Sequence, residues 1–377
     1  MIDPEELGAW LRLLETPGVG RESARKLLAA FGSPQAVIAT STSARREVAG
    51  HGPATALASS SAALDALIQT TFDWLAADAS APRRLIPLGH RLFPAALLHA
   101  ADPPLLLYAQ GRAELLNGEA IAVVGSRNPT RQGTDNARAF SAQLSQAGLT
   151  VVSGLALGID AAAHEGGMEG SASTIAVVGT GLDRVYPKRH LGLAHRIAEK
   201  GLILTEYALG TPPLPAHFPN RNRIIAGLSR GTLVVEAALK SGSLITARLA
   251  SESGRDVFAI PGSIHSPQSR GCHALIKQGA KLVETAQDVL EELRAPGTPA
   301  AAAASQGELS FAQDAVLDAL GFDPVTLDAL VARTDWSTAA LSVRLLELEL
   351  SGQIARLPGQ LFQRIAPARA APPEPAV

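Results

Sequence analysis

The run Phe218-Pro219-Asn220-Arg221-Asn222-Arg223 stands at the mouth of an apolar stretch, Ile224-Ile225-Ala226-Gly227-Leu228-Ser229, with Gly231-Thr232-Leu233-Val234-Val235-Glu236 just after it. Arg221 and Arg223 carry planar, forked donors that match phosphate oxygens two at a time. Asn222 can bond a base edge or the backbone, and Phe218 offers a flat face on which a base can stack. These residue types in this order suit a nucleotide or a nucleic-acid strand.

Three further stretches have related chemistry. Gly125-Ser126-Arg127 directly follows an apolar run. It lacks the later glycines of Gly-x-Gly-x-x-Gly, and no Walker A pattern occurs, so the dinucleotide and NTPase readings are weak. Its turn amides and the Arg127 guanidinium still make a phosphate cradle. Ser241-Gly242-Ser243 opens a helix; Ser243 is expected to cap it and leave free amides for an anion. Val185-Tyr186-Pro187-Lys188-Arg189 follows Gly179-Thr180-Gly181. Pro187 stops Tyr186 from continuing a helix, which places Lys188 and Arg189 at a helix start facing strand ends. Tyr186 is equally compatible with stacking and with packing.

No catalytic constellation emerges. Asp160 and His164 are spaced i, i+4, and without further ligands they are expected to be a hydrogen-bonded pair fixing a helix start rather than a metal site. Cys272-His273 has no supporting group, and Glu236 at a strand end has no partner acid at a defined spacing. No metal and no cofactor are expected.

The elements that must position these residues follow from pattern. Apolar runs at Ile121 to Val124, Thr150 to Val152, Thr174 to Val178, Leu202 to Leu204, Thr232 to Val235, Val257 to Ile260 and Lys281 to Val283 are mostly separated by helical segments. Continuous apolar strands interleaved with helices predict an α/β fold with a parallel sheet covered on both faces. Such sheets bind ligands at the carboxyl ends of their strands, where Gly125-Ser126-Arg127, Ser153-Gly154, Gly179-Thr180-Gly181 and Pro261-Gly262-Ser263 fall. Residues 1–80 read as short helices around the turn Thr16-Pro17-Gly18-Val19-Gly20, a helix-hairpin-helix pattern whose helix start could hold a DNA phosphate. Prolines make 81–118 a connector, with Leu105 to Tyr108 as an edge strand. The Pro/Ala stretch 294–308 is a linker by composition. Residues 309–366 read as three helices and a hairpin around Pro358-Gly359, a winged-helix pattern, and the Pro/Ala-rich tail 367–377 is expected to be disordered.

Composition narrows the class. A chain of 377 residues with 46% hydrophobic content predicts more than one domain. No run reaches the length of a membrane span. The acidic start Met1-Ile2-Asp3-Pro4-Glu5-Glu6 is unlike a secretory leader, and one cysteine excludes a disulfide framework. A soluble cytoplasmic protein is expected. Net charge is only -2, so nucleic-acid binding would have to come from local patches. Arg184 to Arg196 and His217 to Arg230 are cationic runs with no acid.

Taken together, these motifs resemble the DNA-processing protein A family, DprA or Smf. The resemblance is strongest from Ala120 to Leu282 and rests on Val124-Gly125-Ser126-Arg127, on Ser153-Gly154-Leu155-Ala156-Leu157-Gly158-Ile159-Asp160, and on Gly179 to Pro187. Phe218 to Gly227, Ser241 to Ala247 and Pro261-Gly262-Ser263 complete it. It implies an extended Rossmann-like core, an N-terminal helical domain of helix-hairpin-helix or SAM-like type and a C-terminal winged helix. It also implies a non-enzymatic mediator of recombination in natural transformation. Such a protein binds and protects single-stranded DNA, helps load RecA and forms a homodimer through the core. By motif, Arg127 and Lys188 are the principal basic residues, Phe218 a stacking candidate, and Arg221, Asn222 and Arg223 line the same pocket, with Gly125, Ser126, Ser153, Gly154, Ser241, Gly242 and Ser243 around it. Residues 215–217 (Pro-Ala-His) carry no firm positive charge. An enzyme resembling nucleotide phosphoribohydrolases, built on Gly231-Thr232 and Glu236, is the alternative. A transcription factor acting through the winged unit is a third reading, but its third helix, Ser337 to Ser351, carries Arg344 and also Glu347 and Glu349, so protein contact or regulation is expected of residues 309–366 rather than duplex reading.

Overall fold

The computed structural model describes residues 2–77, 81–100, 102–293, 314–321, 323–334 and 336–365. It divides into two compact units, Met1–Pro296 and Gly297–Val377. The expected linker at 294–308 and tail at 367–377 lie outside the described residues.

In the first unit nine strands, counted among the described residues, form one sheet: β1 (Arg83–Pro87), β2 (Leu106–Gly111), β3 (Ala120–Val124), β4 (Thr150–Ser153), β5 (Thr174–Val177), β6 (Leu202–Thr205), β7 (Gly231–Val234), β8 (Asp256–Ala259) and β9 (Lys281–Leu282). Their order is β1-β2-β6-β5-β4-β3-β7-β8-β9. All neighbours from β6 to β9 pair in parallel, while β2 runs antiparallel to both β1 and β6. The chain starts this parallel sheet at β3, builds outward through β4, β5 and β6, and then returns to the other side of β3 with β7. The β3–β7 junction is therefore the topological switch point, where an open α/β sheet leaves a crevice beyond its strand ends.

The alternation of side chains across β3 shows how both faces are covered. Ile121 and Val123 pack with Ala137, Phe140 and Leu144 of the Arg131–Gln146 helix and with Ile159 and Ala163 of the Ile159–Gly167 helix. Ala122 and Val124 pack on the opposite face with Ile224, Ile225 and Leu228 of the His217–Leu228 helix and with Ala247 of the Ser243–Glu252 helix. Each fully buried Val, Leu or Ile contributes about 1.5–3 kcal/mol.

One sequence expectation is corrected in this unit. Leu105 to Tyr108 does not form an edge strand, because β1 lies outside β2 and pairs with it from Arg83↔Gln110 to Pro87↔Leu106. The strand β1 begins with two arginines and ends on a proline, which hides it as an apolar run yet suits an edge. The stretch 81–118 is accordingly part of the sheet as well as a connector. The N-terminal helices, beginning with Pro4–Glu15 and Arg21–Phe31, share a core with it: Leu7, Trp10, Leu27 and Trp74 pack with Leu85, Leu106 and Tyr108.

The second unit has three helices, Ala315–Leu320, Leu327–Thr334 and Thr338–Leu350, among its described residues. Its strands β10 (Val325–Thr326), β11 (Ile354–Leu357) and β12 (Leu361–Arg364) form an antiparallel sheet in the order β10-β12-β11. Val316, Leu330, Leu341, Leu345 and Phe362 make its own core. This is the winged-helix arrangement.

A candidate nucleic-acid interface at the switch point

A cleft of about 510 Å³ opens at the carboxyl ends of β3 and β7. One wall is the turn after β3, with Gly125, Ser126 and Arg127. A Cβ at Gly125 would stand 2.7 Å from Ile159 Cγ1 and 2.8 Å from Glu236 O, so the turn can pass between those groups only as glycine. Ser126 donates its amide to Glu236 O at 2.7 Å, and its hydroxyl accepts from Asn128 N at 3.1 Å. The turn runs into Thr130, whose amide and hydroxyl both donate to the Glu236 carboxylate, at 2.9 and 2.5 Å. Thr130 in turn caps the helix by accepting from Gly133 N at 2.9 Å. Arg127 is left exposed at the rim.

The second wall is the His217–Leu228 helix, which the sequence alone presents only as the mouth of an apolar run. Pro219 falls in its first turn, which a helix tolerates. Phe218, Arg221, Asn222 and Ile225 recur at i, i+3, i+4 and i+7 and all line the cleft. Arg221 is only 5% exposed. Its Nη1 donates to Gly154 O and, at 2.9 Å, to Val177 O, and its guanidinium lies 5.5 Å from the Phe218 ring centroid. Burial brings its pKa down to about 10, with Asp160 opposing the shift and Arg127 adding to it. It remains charged at neutral pH and places a guanidinium in the cleft floor, where Asp160 is also a lining residue.

Ser153 and Gly154 support this floor rather than line it. Ser153 is fully buried and donates to Val123 O at 2.7 Å. A Cβ on Gly154 would stand 2.5 Å from Arg221 Nη2. The expected Asp160–His164 hydrogen bond is absent; each instead holds the 154–156 loop. Asp160 Oδ2 accepts from Gly154 N at 3.1 Å and Ala156 N at 3.2 Å, and His164 Nε2 accepts from Leu155 N at 3.2 Å. Spacing alone put the two on one helix face, but the glycine-rich loop above supplied better donors.

The third wall is the start of the Ser243–Glu252 helix. Gly242, not Ser243, is its N-cap, and no side chain caps it. The hydroxyls of Ser241 and Ser243 bond each other at 2.7 Å. Lys240, exposed beside them, and Gln268 also line the cleft. Neither is among the residues expected from the sequence. A cation just ahead of the expected helix start at Ser241-Gly242-Ser243 was the available signal for Lys240; Gln268 had none, since it arrives from a distant loop.

Arg223 does not line the cleft. It extends to the far side of the helix, where Nη1 donates to Asp102 O at 2.6 Å and Nη2 to Glu206 Oε2. Arg21 and Arg25 meet the same two acids, Arg21 at 3.1 Å from Glu206 and 2.7 Å from Asp102, and Arg25 at 2.7 Å from Asp102. The acid-free cationic runs of the sequence are likewise partly neutralised from outside: Arg184 pairs with Asp183, Arg196 with Glu165 and Arg230 with Glu119. Lys188 and Arg189 stay exposed on a turn tied to the 154–156 loop by His190 Nδ1, 3.1 Å from Leu155 O; Lys188 is not among the residues that line the cleft.

Cys272 is fully buried, and burial pushes its thiol up to about 12, so it is not a thiolate at neutral pH. Among the described residues no group of three or more His, Cys, Asp or Glu is placed to hold a metal, and no helix is long and apolar enough to cross a membrane.

Fold and cleft together define a Rossmann-like α/β protein with a cationic crevice at its switch point and a winged helix appended. Comparison with known proteins follows the same division. Residues 84–294 match the family described as DNA recombination-mediator protein A, and residues 299–360 match the DprA winged helix domain. The chain is 42% identical to Protein Smf of Escherichia coli (strain K12) over 283 residues, 73% of this chain and 76% of that protein. It is 51% identical to DNA processing protein DprA of Streptococcus pneumoniae over 200 residues, 53% of this chain and 71% of that protein. The X-ray structure of the Streptococcus pneumoniae protein aligns with a TM-score of 0.68 and 38% identity, covering 78% of this chain and 99% of that one. A structure of DNA processing protein A from Helicobacter pylori aligns with a TM-score of 0.52 and 31% identity, covering 56% and 95%. The chain belongs to the DprA/Smf family of DNA recombination mediators.

Proposed function

We propose that this chain binds single-stranded DNA in the switch-point cleft and acts in the cytoplasm as a non-enzymatic recombination mediator. In that role it protects incoming strands and helps load RecA during natural transformation. The observation that carries the reading is the cation set Arg127, Arg221 and Lys240, disposed around one crevice with the Phe218 ring beside it. Phosphates track the cations and bases stack on the ring, a combination tolerant of sequence. The Helicobacter pylori relative is described by its single-stranded DNA binding mode, which supports the same ligand here. Gly125, Ser126, Asn222, Ser241, Gly242 and Ser243 are the polar contacts of this proposal, with Lys188 as an outer phosphate contact. Ser153, Gly154 and Arg223 are assigned to holding the walls in place.

The proposal divides the chain into a helical domain at 1–80, the core at 81–293 and the winged helix at 309–366. It includes a homodimer through the core, which places two clefts on one strand and raises avidity. The test is titration of the full chain with oligothymidylate at fixed salt. Replacing Arg127 and Lys188 with Ala should weaken binding at least about tenfold, roughly 1.4 kcal/mol, and parent-like affinity would sink the cleft assignment. Light scattering in the same buffer reads the dimer, which a monomeric mass at working concentration removes. Strand exchange by RecA, with and without the chain, reads the loading role; no stimulation removes it.

A further inference from the structure

The line of groups that begins with Arg221 continues out of the cleft. Arg221 lies against the Phe218 ring, and the Phe218 ring centroid is 5.3 Å from that of Tyr186, tilted by 40°. Tyr186 is 48% exposed although it is packed on another ring. A solvated aromatic face beside a strand-binding cleft is what an unpaired base stacks on. Lys188 and Arg189 follow on the same turn, both exposed, and neither has an acidic ion-pair partner among the described residues. The turn is fixed at both ends: His190 contacts Leu155 O at 3.1 Å, and Asp183 Oδ1 accepts from Gly210 N at 2.9 Å. Leu155 neighbours Gly154, whose carbonyl receives Arg221, so the ring outside and the guanidinium inside hang from one loop.

We propose that Tyr186, with Lys188 and Arg189, forms a second nucleotide subsite just outside the cleft. It takes one base of a single strand on the free face of Tyr186 and the adjoining phosphate on the two cations. This rests on the reading of the cleft as a single-strand site and extends it by a position. The ring face does the binding, so the phenol hydroxyl is dispensable.

The test is titration of the full chain with oligothymidylates of increasing length. Short strands that fill only the cleft should bind the parent and Tyr186→Ala alike. Longer strands should gain affinity in the parent, and Tyr186→Ala should lose about tenfold of that gain, the order of one base–aromatic stack. Tyr186→Phe should keep it, while Lys188→Ala and Arg189→Ala should flatten the salt dependence for long strands only. Equal weakening of short and long strands by Tyr186→Ala would mean that the ring merely props Phe218, and the subsite would be overturned. A parent-like length gain in Tyr186→Ala overturns it too, with the cleft reading intact. Unchanged affinity in Arg127→Ala, by contrast, overturns the cleft reading and the subsite with it.

Discussion

Arg221 and Arg223 stand two residues apart on one helix and point to opposite sides of it. Two steps of roughly 100° separate their directions. Arg221 enters the cleft floor between Gly154 O and Val177 O, while Arg223 joins Asp102 and Glu206. The same acids receive Arg21 and Arg25 from the second N-terminal helix. The helix that carries Phe218, Arg221 and Asn222 is thus clamped from behind by the N-terminal segment.

Removing one side of that clamp should cost stability without changing the charge that meets DNA. The side chains of Glu206 and Arg223 are 7% and 14% exposed, so Glu206→Gln leaves a nearly buried guanidinium short of its partner. The expected loss is about 3 kcal/mol, read by urea unfolding. Arg223→Ala should be similarly destabilised and yet keep the parent's slope of log affinity against log salt. A slope shallower by about 0.7, one phosphate contact on a single strand, would place Arg223 in the interface after all.

Glu236 separates the binding reading from the hydrolase alternative. Both of its carboxylate oxygens are engaged by Thr130, so it braces the Arg127 turn. Glu236→Ala should lose about 1 kcal/mol, as for a lost helix cap, and weaken strand binding by loosening that turn. Incubating the parent with nucleoside monophosphates should release no base. Turnover that disappears in Glu236→Gln would reverse the assignment.

The seven parallel strands were legible as short apolar runs; β3 to β7 are buried along their whole length, while Asp256 of β8 and both residues of β9, at the far edge of the sheet, are exposed. Strand β1 was not, since Arg83 and Arg84 interrupt the pattern and Pro87 closes it. The motif residues around the cleft were legible as types, but their roles were not. Telling Arg221 from Arg223 requires knowing that Phe218 to Leu228 is helical, and the apolar content of that stretch fits a strand as well. The partners that neutralise Arg184, Arg196, Arg223 and Arg230 range from the adjacent Asp183 to Asp102, 121 residues from Arg223; a linear charge run cannot reveal the distant ones.

Acid sensitivity should come from His164. Thr174 Oγ1 gives its single proton to Val151 O at 2.7 Å, so it accepts from His164 Nδ1–H at 2.7 Å. Nε2 then accepts from Leu155 N–H, and the ring is neutral. Burial, with the nearby Arg221 and His190 charges, brings its pKa down to about 3, against about 6.5 in the unfolded chain. Between those values the unfolded state binds the extra proton, so stability is intact above pH of about 6.5 and falls as pH drops toward 3, by up to about 1.4 kcal/mol per unit. Burial raises Asp160, and its contribution runs the other way, weakening as pH rises above its unfolded value. Urea unfolding across this range should show a shallower acid loss in His164→Gln than in the parent; equal slopes would assign the loss elsewhere.

The Thr338–Leu350 helix occupies the place from which a winged helix reads duplex DNA, yet its outer face is wrong for that task. Leu341, Leu345 and Leu348 are buried, while Val343, Leu346 and Leu350 are 60%, 55% and 80% exposed. Arg344 is held by Asp314 at 2.5 Å and Glu347 at 2.6 Å. The face therefore offers apolar surface flanked by acid, which repels phosphate and suits protein contact. Because the unit has its own core, residues 309–366 can be measured alone. That fragment should show no appreciable duplex binding by anisotropy at physiological salt, and removing it from the full chain should leave oligothymidylate affinity within about twofold, or about 0.4 kcal/mol. Tight duplex binding by the fragment would assign it a reading role and overturn this account of its surface.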